Sequence, residues 1–254
     1  MFPVKEIISL TWNPTISVII PTLEEEKLLA RTLEQFTPDI RAHHRLEIIV
    51  SDGGSKDNTL CIARRHADHV VEAGVGTRQN ISMGRNRGAE AAQGEILVFF
   101  NADTLIDNPD RFFSTMVRVL RDNRISAATC DVLVYPEGET FADRFFHGSY
   151  NRYFWLLNVL GMGMGRGECH VVKRELFERI GGYNESIAAG EDYELFLRLR
   201  RLGKIAFIRS LRVFESPRRY RTYGYFRISL LWFLNALSVF LFRRSMLDEW
   251  KPVR

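Results

Sequence analysis

Three short runs constrain the fold of this 254-residue chain more than any other feature: ISVIIP at 16–21, LEIIV at 46–50 and EILVFF at 95–100. Each is a near-continuous block of apolar residues without polar alternation, so each predicts a strand buried on both faces. Between them the spacing changes. TLEEEKLLARTLEQF (22–36) sets Leu28, Leu29, Leu33 and Phe36 at helical intervals behind a run of carboxylates, which suits a helix start. A second helix is predicted through Ile62 and Ala63, a third strand at HVVEA (69–73), and a small-residue helix at NRGAEAAQG, closed by Gly94. This alternation predicts an α/β domain with a mostly parallel sheet flanked by helices. Ligands bind beyond the carboxyl ends of such strands. Here those ends carry three polar clusters, at 22–25, 52–55 and 101–103.

The second half is less regular. It predicts a helix at 107–123, a strand at 125–136, an aromatic helix at 141–161, and a glycine-bearing stretch with a strand and a short helix ended by Gly181 and Gly182. A strong helix follows at 190–204, with Leu195, Leu199 and Leu202 on one stripe, and IAFIRSLRVFES then reads as two short strands or one bent one. No internal repeat interrupts the chain, so one domain is expected over 1–215 with a basic and apolar helical appendage over 216–254. A net charge of +4 is too small to indicate nucleic acid, and the basic residues lie toward the C-terminal half. Cys61, Cys130 and Cys169 form no C-x-x-C pair, so nothing suggests a disulfide framework or a zinc site, and a reducing cytosol is the natural reading. MFPVKEIISLTWNP has no basic stretch leading into an apolar core, so no secretory signal is expected and a cytoplasmic location is.

Five segments carry a resemblance: ISVIIPTLEEE, IIVSDGGSKDNT, GRNRGAEAAQGEILVFFNADT, FERIGGYNE and GEDYELFLRLRRLG. In this order and at these spacings, from about residue 16 to about residue 215, the chain resembles the family 2 glycosyltransferases with the GT-A fold. The resemblance implies a Rossmann-like central sheet, a nucleotide-diphosphate sugar as donor, and inversion at the anomeric carbon. It implies that Pro21, Thr22 and Glu24 of PTLEE, with Asp52 and Gly53, hold the nucleotide's base and ribose, and that Arg85 and Asn86 line the same pocket. N-A-D at 101–103 takes the place of the family's D-x-D motif, so Asn101 and Ala102 would meet the donor and Asp103 the metal. GEDYEL supplies the catalytic carboxylate, Asp192, with Glu191 beside it to bind acceptor or orient the site.

The chemistry asks for these residue types. A divalent cation, Mn²⁺ or Mg²⁺, neutralises a leaving diphosphate and needs only one or two carboxylates besides the phosphates. Asp103 suits that role; the plainer alternative is a turn or helix cap. Asn101 replaces a charged residue by an amide, which leaves metal dependence open. No histidine follows His170 to act as a further ligand, and Glu215 is the substitute. An acceptor hydroxyl needs a base, and Asp192 and Glu191 stand where they would otherwise only cap a helix. Asp52 and the glycines after it equally suit a strand-to-helix turn, and Arg85 equally suits a solvated helix face. Arg218 and Arg219 suit a diphosphate or an anionic acceptor, or a surface cluster. GMGMGRG at 161–167 lacks dinucleotide spacing and is read as an acceptor-side loop; Cys169 and His170 are read as structural.

Residues 228–242, ISLLWFLNALSVFLF, form an apolar run bracketed by Arg221, Arg227, Arg243 and Arg244. The run is shorter than the roughly 20 residues that span a bilayer, and Asn235 sits within it. An interfacial or re-entrant helix at a membrane surface is expected, against a helix packed on its own domain or a dimer contact. The tail MLDEWKPVR leaves no room for a further domain. The acceptor is a glycan, a lipid or lipid-linked sugar, or a small molecule. A nucleotidyltransferase of related fold and a non-catalytic sugar-nucleotide-binding scaffold are the rival functions. The donor's sugar and base, the acceptor and the oligomeric state are not set by the sequence.

Overall fold

The computed structural model describes residues 12–74, 79–187 and 189–242, with side chains to 238. The expectations for the N-terminal stretch before residue 12, for Arg243 and Arg244, and for the tail lie outside these residues. β1 (Ile16–Thr22) and β2 (Leu46–Asp52) pair in parallel, Ile16 opposite Leu46 through Thr22 opposite Asp52. The helix expected from residue 22 begins only at Leu29, and α1 is Leu29–Glu34. The reason lies in the preceding amides. Those of Glu24 and Glu25 donate to Ser55 Oγ and Thr59 Oγ1, both at 2.7 Å, and that of Glu26 to Asp57 Oδ2 at 3.2 Å. The carboxylate run is therefore stitched to the turn after β2, and its first helical-type bond comes only at Glu25, whose carbonyl accepts from the Leu29 amide at 3.0 Å. A further helix, α2 (Pro38–His44), escaped the sequence reading although Thr37 caps it and Pro38 opens it.

α3 (Thr59–His66), β3 (His69–Glu72), α4 (Ile81–Ala91) and β4 (Ile96–Phe100) continue the alternation. α4 starts five residues before the predicted small-residue stretch, because Asn80 accepts from the Met83 amide at 2.9 Å as an N-cap. β5 (Leu105–Ile106) and α5 (Pro109–Leu120) precede β6 (Ile125–Val134). α6 (Phe141–Val159) opens on a capping box of Thr140 and Asp143. β7 (Cys169–Lys173), α7 (Arg174–Arg179), α8 (Glu191–Arg200), β8 (Lys204–Glu215), α9 (Arg218–Tyr223) and α10 (Tyr225–Phe242) complete the described chain.

The eight strands form one mixed sheet in the order β3-β2-β1-β4-β7-β6-β8-β5. Pairing is parallel from β3 through β4 and again between β6 and β8; β7 runs antiparallel to both neighbours and β5 to β8. β8 is one long strand with a register shift beside Cys130 and Asp131, so the bent-strand alternative holds. Alternate residues of the central strands enter opposite cores. Ile20, Val50 and Phe100 pack with Leu33 and Phe113 on one face; Ile19, Ile49 and Phe99 pack with Phe177, Leu195 and Phe196 on the other. No helix among the described residues is long and apolar enough to cross a membrane. α10 instead turns Ile228, Trp232 and Asn235 inward, and the Asn235 amide donates to the Ala189 carbonyl at 2.7 Å. Its other face is open to solvent.

α4 lies close against β1 at Gly88, where an added Cβ would stand 2.4 Å from Ile19 Cγ2. Gly88→Ala should therefore overpack this layer and cost about 1–3 kcal/mol. A lower midpoint in denaturant unfolding at unchanged m-value is the expected result.

Candidate active site

A cavity of about 570 Å³ opens at the carboxyl ends of β1, β2 and β4, as the polar strand tips predict. Pro21 and Thr22 at the end of β1, and Gly53 just past β2, form one wall. Asn101, Ala102 and Asp103 follow β4, Glu191 and Asp192 open α8, and Arg218 and Arg219 open α9. Tyr150 and Phe154 of α6 and Trp232 and Asn235 of α10 close the opposite side. Thus residues from three separate strand ends, two helix starts and the C-terminal segment converge on one space.

Three candidates lie off its wall. The Asp52 carboxylate is spent on its own turn: Oδ1 accepts from Thr22 Oγ1 at 3.0 Å and Ser55 Oγ at 2.5 Å, and Oδ2 from the Gly54 and Ser55 amides at 2.9 and 2.8 Å. Glu24 sits at a left-handed backbone position, φ 54°, and the acid of PTLEE that reaches the cavity is Glu25. Asn86, one step along α4 from Arg85, points about 100° away. It holds the GGYNE turn, donating to the Tyr183 carbonyl at 2.9 Å and accepting from the Tyr183 amide at 2.8 Å. It thereby lines a separate, more open groove.

Arg85 is fully buried, so the solvated-face alternative fails. Its Nη1 donates to Glu191 Oε1 at 2.8 Å; its Nη2 donates to Asn101 Oδ1 at 3.0 Å and to the Gly167 carbonyl at 2.7 Å. Burial alone would lower its pKa, but Tyr183, Glu191 and Asp192 more than offset that and hold it above the ordinary value. The guanidinium thus ties the tip of β4, the loop before β7 and the start of α8 together. Asn101 spends its amide oxygen on this guanidinium.

Asp103 lies at the cavity's edge, almost buried. Burial pushes its carboxyl up to about 6; Arg218 pulls the other way, and Glu25 and Glu168 add to the rise. A carboxyl raised in the folded state from about 3.9 stabilises fully only below that value, and its contribution is lost as pH rises through about 6. At neutral pH Asp103 is therefore a carboxylate in need of a cation. Arg218 partly serves: its Nη2 lies 3.4 Å from Asp103 Oδ2 and donates to Glu25 Oε1 at 2.8 Å.

Arg166, Glu168 and Tyr193 also line the cavity, and the sequence reading assigned them no role. Buried Arg166 donates to Glu215 Oε1 at 2.8 Å and lies 3.3 Å from Glu168 Oε2. Tyr220 donates to the same Glu215 oxygen at 2.7 Å, so one oxygen of the substitute ligand is already engaged. The GMGMGRG stretch, read as an acceptor-side loop, is the one sequence signal that touches Arg166. His170 lies inside the core with Nδ1 2.6 Å from the Tyr183 hydroxyl, in keeping with the structural reading. Gly190, at φ 81°, occupies the left-handed N-cap of α8 and aims the pair that follows. Desolvation and the adjacent Glu191 push the Asp192 carboxyl well above the ordinary range. Its Oδ1 accepts from the Tyr193 amide at 2.9 Å.

Among the described residues, the side chains of His, Cys, Asp or Glu that stand three together at ligand distance are His43, His44 and Asp110, off the cavity wall. An ion at Asp103 would complete its shell from phosphate oxygens and water, as Mg²⁺ and Mn²⁺ commonly do. The donor set fits on those terms.

The chain belongs to glycosyl transferase family 2, whose model matches residues 17–181. It is 26% identical over 75% of its length to O-antigen biosynthesis protein RfbC of Myxococcus xanthus, and 23% identical over 75% to probable glycosyltransferase YdaM of Bacillus subtilis. It spans only 16% and 47% of those relatives. The fold is GT-A. A mannosyltransferase of Pyrobaculum calidifontis, solved with GDP-Man and Mn²⁺, aligns over 81% of this chain and 58% of its own, with TM-score 0.63 and 24% identity. Glucosyl-3-phosphoglycerate synthase of Mycobacterium tuberculosis, solved with Mn²⁺, UDP and phosphoglyceric acid, aligns over 96% and 83%, with TM-score 0.61 and 20% identity.

Removing the buried guanidinium leaves Glu191 unpaired. Arg85→Met should cost about 3–5 kcal/mol, whereas Arg31→Ala, which breaks the exposed pair with Glu137, should cost under about 1 kcal/mol. Denaturant unfolding of both variants checks the contrast.

Proposed function

We propose that this family 2 protein is an inverting glycosyltransferase that moves a sugar from a nucleotide-diphosphate donor to an acceptor hydroxyl. The observation that carries the reading is the meeting of Asp103 and Asp192, from the end of β4 and the start of α8, at one cavity. Pro21, Thr22 and Gly53 form the wall that takes the base and its ribose, and backbone can approach closely at Gly53. Arg218 and Arg219 face the diphosphate. Asp103 holds a divalent cation, Mn²⁺ or Mg²⁺, which when bound supplies the charge that neutralises the leaving diphosphate. The Mn²⁺ recorded with both neighbouring structures supports this assignment.

Asp192 takes the acceptor's proton. Its Oδ1 is engaged by the Tyr193 amide, which leaves Oδ2 for that proton, and its raised pKa makes it a stronger base than an exposed carboxylate. The acceptor oxygen bonds to the anomeric carbon as the bond to the diphosphate breaks, and a single displacement inverts the centre. Glu191, fixed by Arg85, keeps the turn in place and borders the acceptor side. Residues 1–215 carry the transferase domain, and the appendage from 216 lends Arg218, Arg219 and Trp232 to the cavity. Free Cys61, Cys130 and Cys169 suit work in a reducing compartment.

Asp192→Asn should lower the rate of transfer about 10²- to 10⁴-fold while nucleotide-sugar binding stays near the wild-type value. Single-turnover transfer and equilibrium binding, measured side by side, separate the two. Near-normal turnover would remove Asp192 as the base.

A further inference from the structure

α10 is apolar on two faces, one of them used within the molecule, and α6 joins a mixed buried face, with Asp143, His147 and Asn151 beside Phe154 and Leu157, to an apolar outer one. The inner faces meet through Tyr150 and Trp232, with ring centroids 5.7 Å apart, and both residues line the cavity. The outer faces adjoin that contact. On α6, Phe141 (83% exposed), Phe145 and Leu156 point to solvent; on α10, Phe226 (83%), Phe233 (64%) and Leu237 do. On α10 these residues fall at positions i, i+7 and i+11, one side of a helix, opposite Ile228, Trp232 and Asn235. A helix that is apolar all round belongs in a core or against a hydrocarbon phase. In the described residues, nothing covers this side.

The charges that the two helices themselves expose are of one sign. The acid of α6 is Asp143, fully buried and paired with Arg221. The exposed charges are Arg144, which Glu139 just ahead of α6 pairs at 2.7 Å, together with Arg152 and Arg227, and no acidic residue occurs in α10. Apolar side chains ringed by arginines match the boundary between acyl chains and anionic headgroups. A second copy of the same face would bring arginines against arginines with no exposed helix acid to receive them.

We propose that the outer faces of α6 and α10 dock on an anionic lipid bilayer, so that the cavity opens at the headgroup level and takes an acceptor borne by a lipid. The acceptor class rests on the transferase reading; the docking does not. With the cavity rimmed by the two inserted helices, an acceptor that stays in the bilayer reaches Asp192 without leaving the interface, and the soluble donor enters from the side of β1 and β2.

The test is co-flotation of the full chain with vesicles of phosphatidylcholine alone or mixed with phosphatidylglycerol, at low and high salt. The wild type should float with the anionic vesicles, far less with the zwitterionic ones, and less at high salt. The double variant Phe226→Glu, Phe233→Glu should bind at least about tenfold more weakly. Its thermal midpoint, and its stabilisation by UDP-glucose or GDP-mannose with Mn²⁺, should stay as in the wild type. Wild type that fails to float, or floats equally with both vesicles, overturns the proposal. So does a concentration-dependent dimer that the double variant breaks while vesicle binding is absent. Flotation without any nucleotide-sugar stabilisation would leave the docking standing and refute the transferase reading; stabilisation without flotation would do the reverse.

Discussion

A buried guanidinium is tolerable only when its charge is met, and the two terminal nitrogens of Arg85 are met by three segments far apart in sequence: Asn101, Gly167 and Glu191. That requirement fixes the distance between the strand tip that carries Asp103 and the helix start that carries Asp192. It also gives Asn101 a structural task. The amide accepts from the guanidinium and adds no charge to a cavity wall that already holds six carboxylates (Glu25, Asp103, Glu168, Glu191, Asp192 and Glu215) against the guanidinium groups of Arg85, Arg166, Arg218 and Arg219. The excess of negative charge and the loss of water act together. Burial, reinforced by neighbouring acids, raises Asp103, Asp192 and Glu215 alike. On the proposed reading, the raised Asp192 carboxyl suits a base and the Asp103 carboxylate suits a cation.

Much of this arrangement was legible in the chain because it follows from local rules. Apolar runs without alternation identified β1, β2 and β4, and polar residues at their ends located the rim. The Gly-Glu-Asp step before a strong helical stripe located the start of α8. What escaped depends on contacts between distant segments. The acids of TLEEE read as a helix start, but their amides belong to Ser55, Asp57 and Thr59, thirty residues on. Asp52 reads as free to meet a ligand, yet its carboxylate oxygens are taken up by the turn after β2 and by Thr22 of the neighbouring strand. Arg85 and Asn86 look equivalent side by side in sequence, and a helix sends them to different surfaces. Arg166 and Glu168 sit in a glycine-rich loop without periodicity, and their roles appear only once Glu215 arrives from β8.

The C-terminal segment shows how one residue can carry two meanings. Asn235 in an apolar run reads as an interruption of a membrane helix. In the fold it is the inward polar contact that fastens α10 to the Ala189 carbonyl, two residues before Glu191 opens α8. The apolar residues around it divide between a face that closes the cavity and a face left open. The same division runs along α6. The proposed docking and the proposed substrate site thus use opposite sides of the same two helices.

The central claim, that Asp103 recruits a divalent cation to a nucleotide-diphosphate donor, is tested most directly by thermal stabilisation of the protein with UDP-, GDP-, CDP- and dTDP-sugars, with and without Mn²⁺. A ligand that binds the native state raises its stability by mass action. The account predicts stabilisation by one nucleotide class that grows with Mn²⁺ at neutral pH. The Mn²⁺-dependent part should fade as pH falls below about 6, where Asp103 takes up its proton, and should be absent in Asp103→Ala. Stabilisation that ignores Mn²⁺ and survives Asp103→Ala would contradict it.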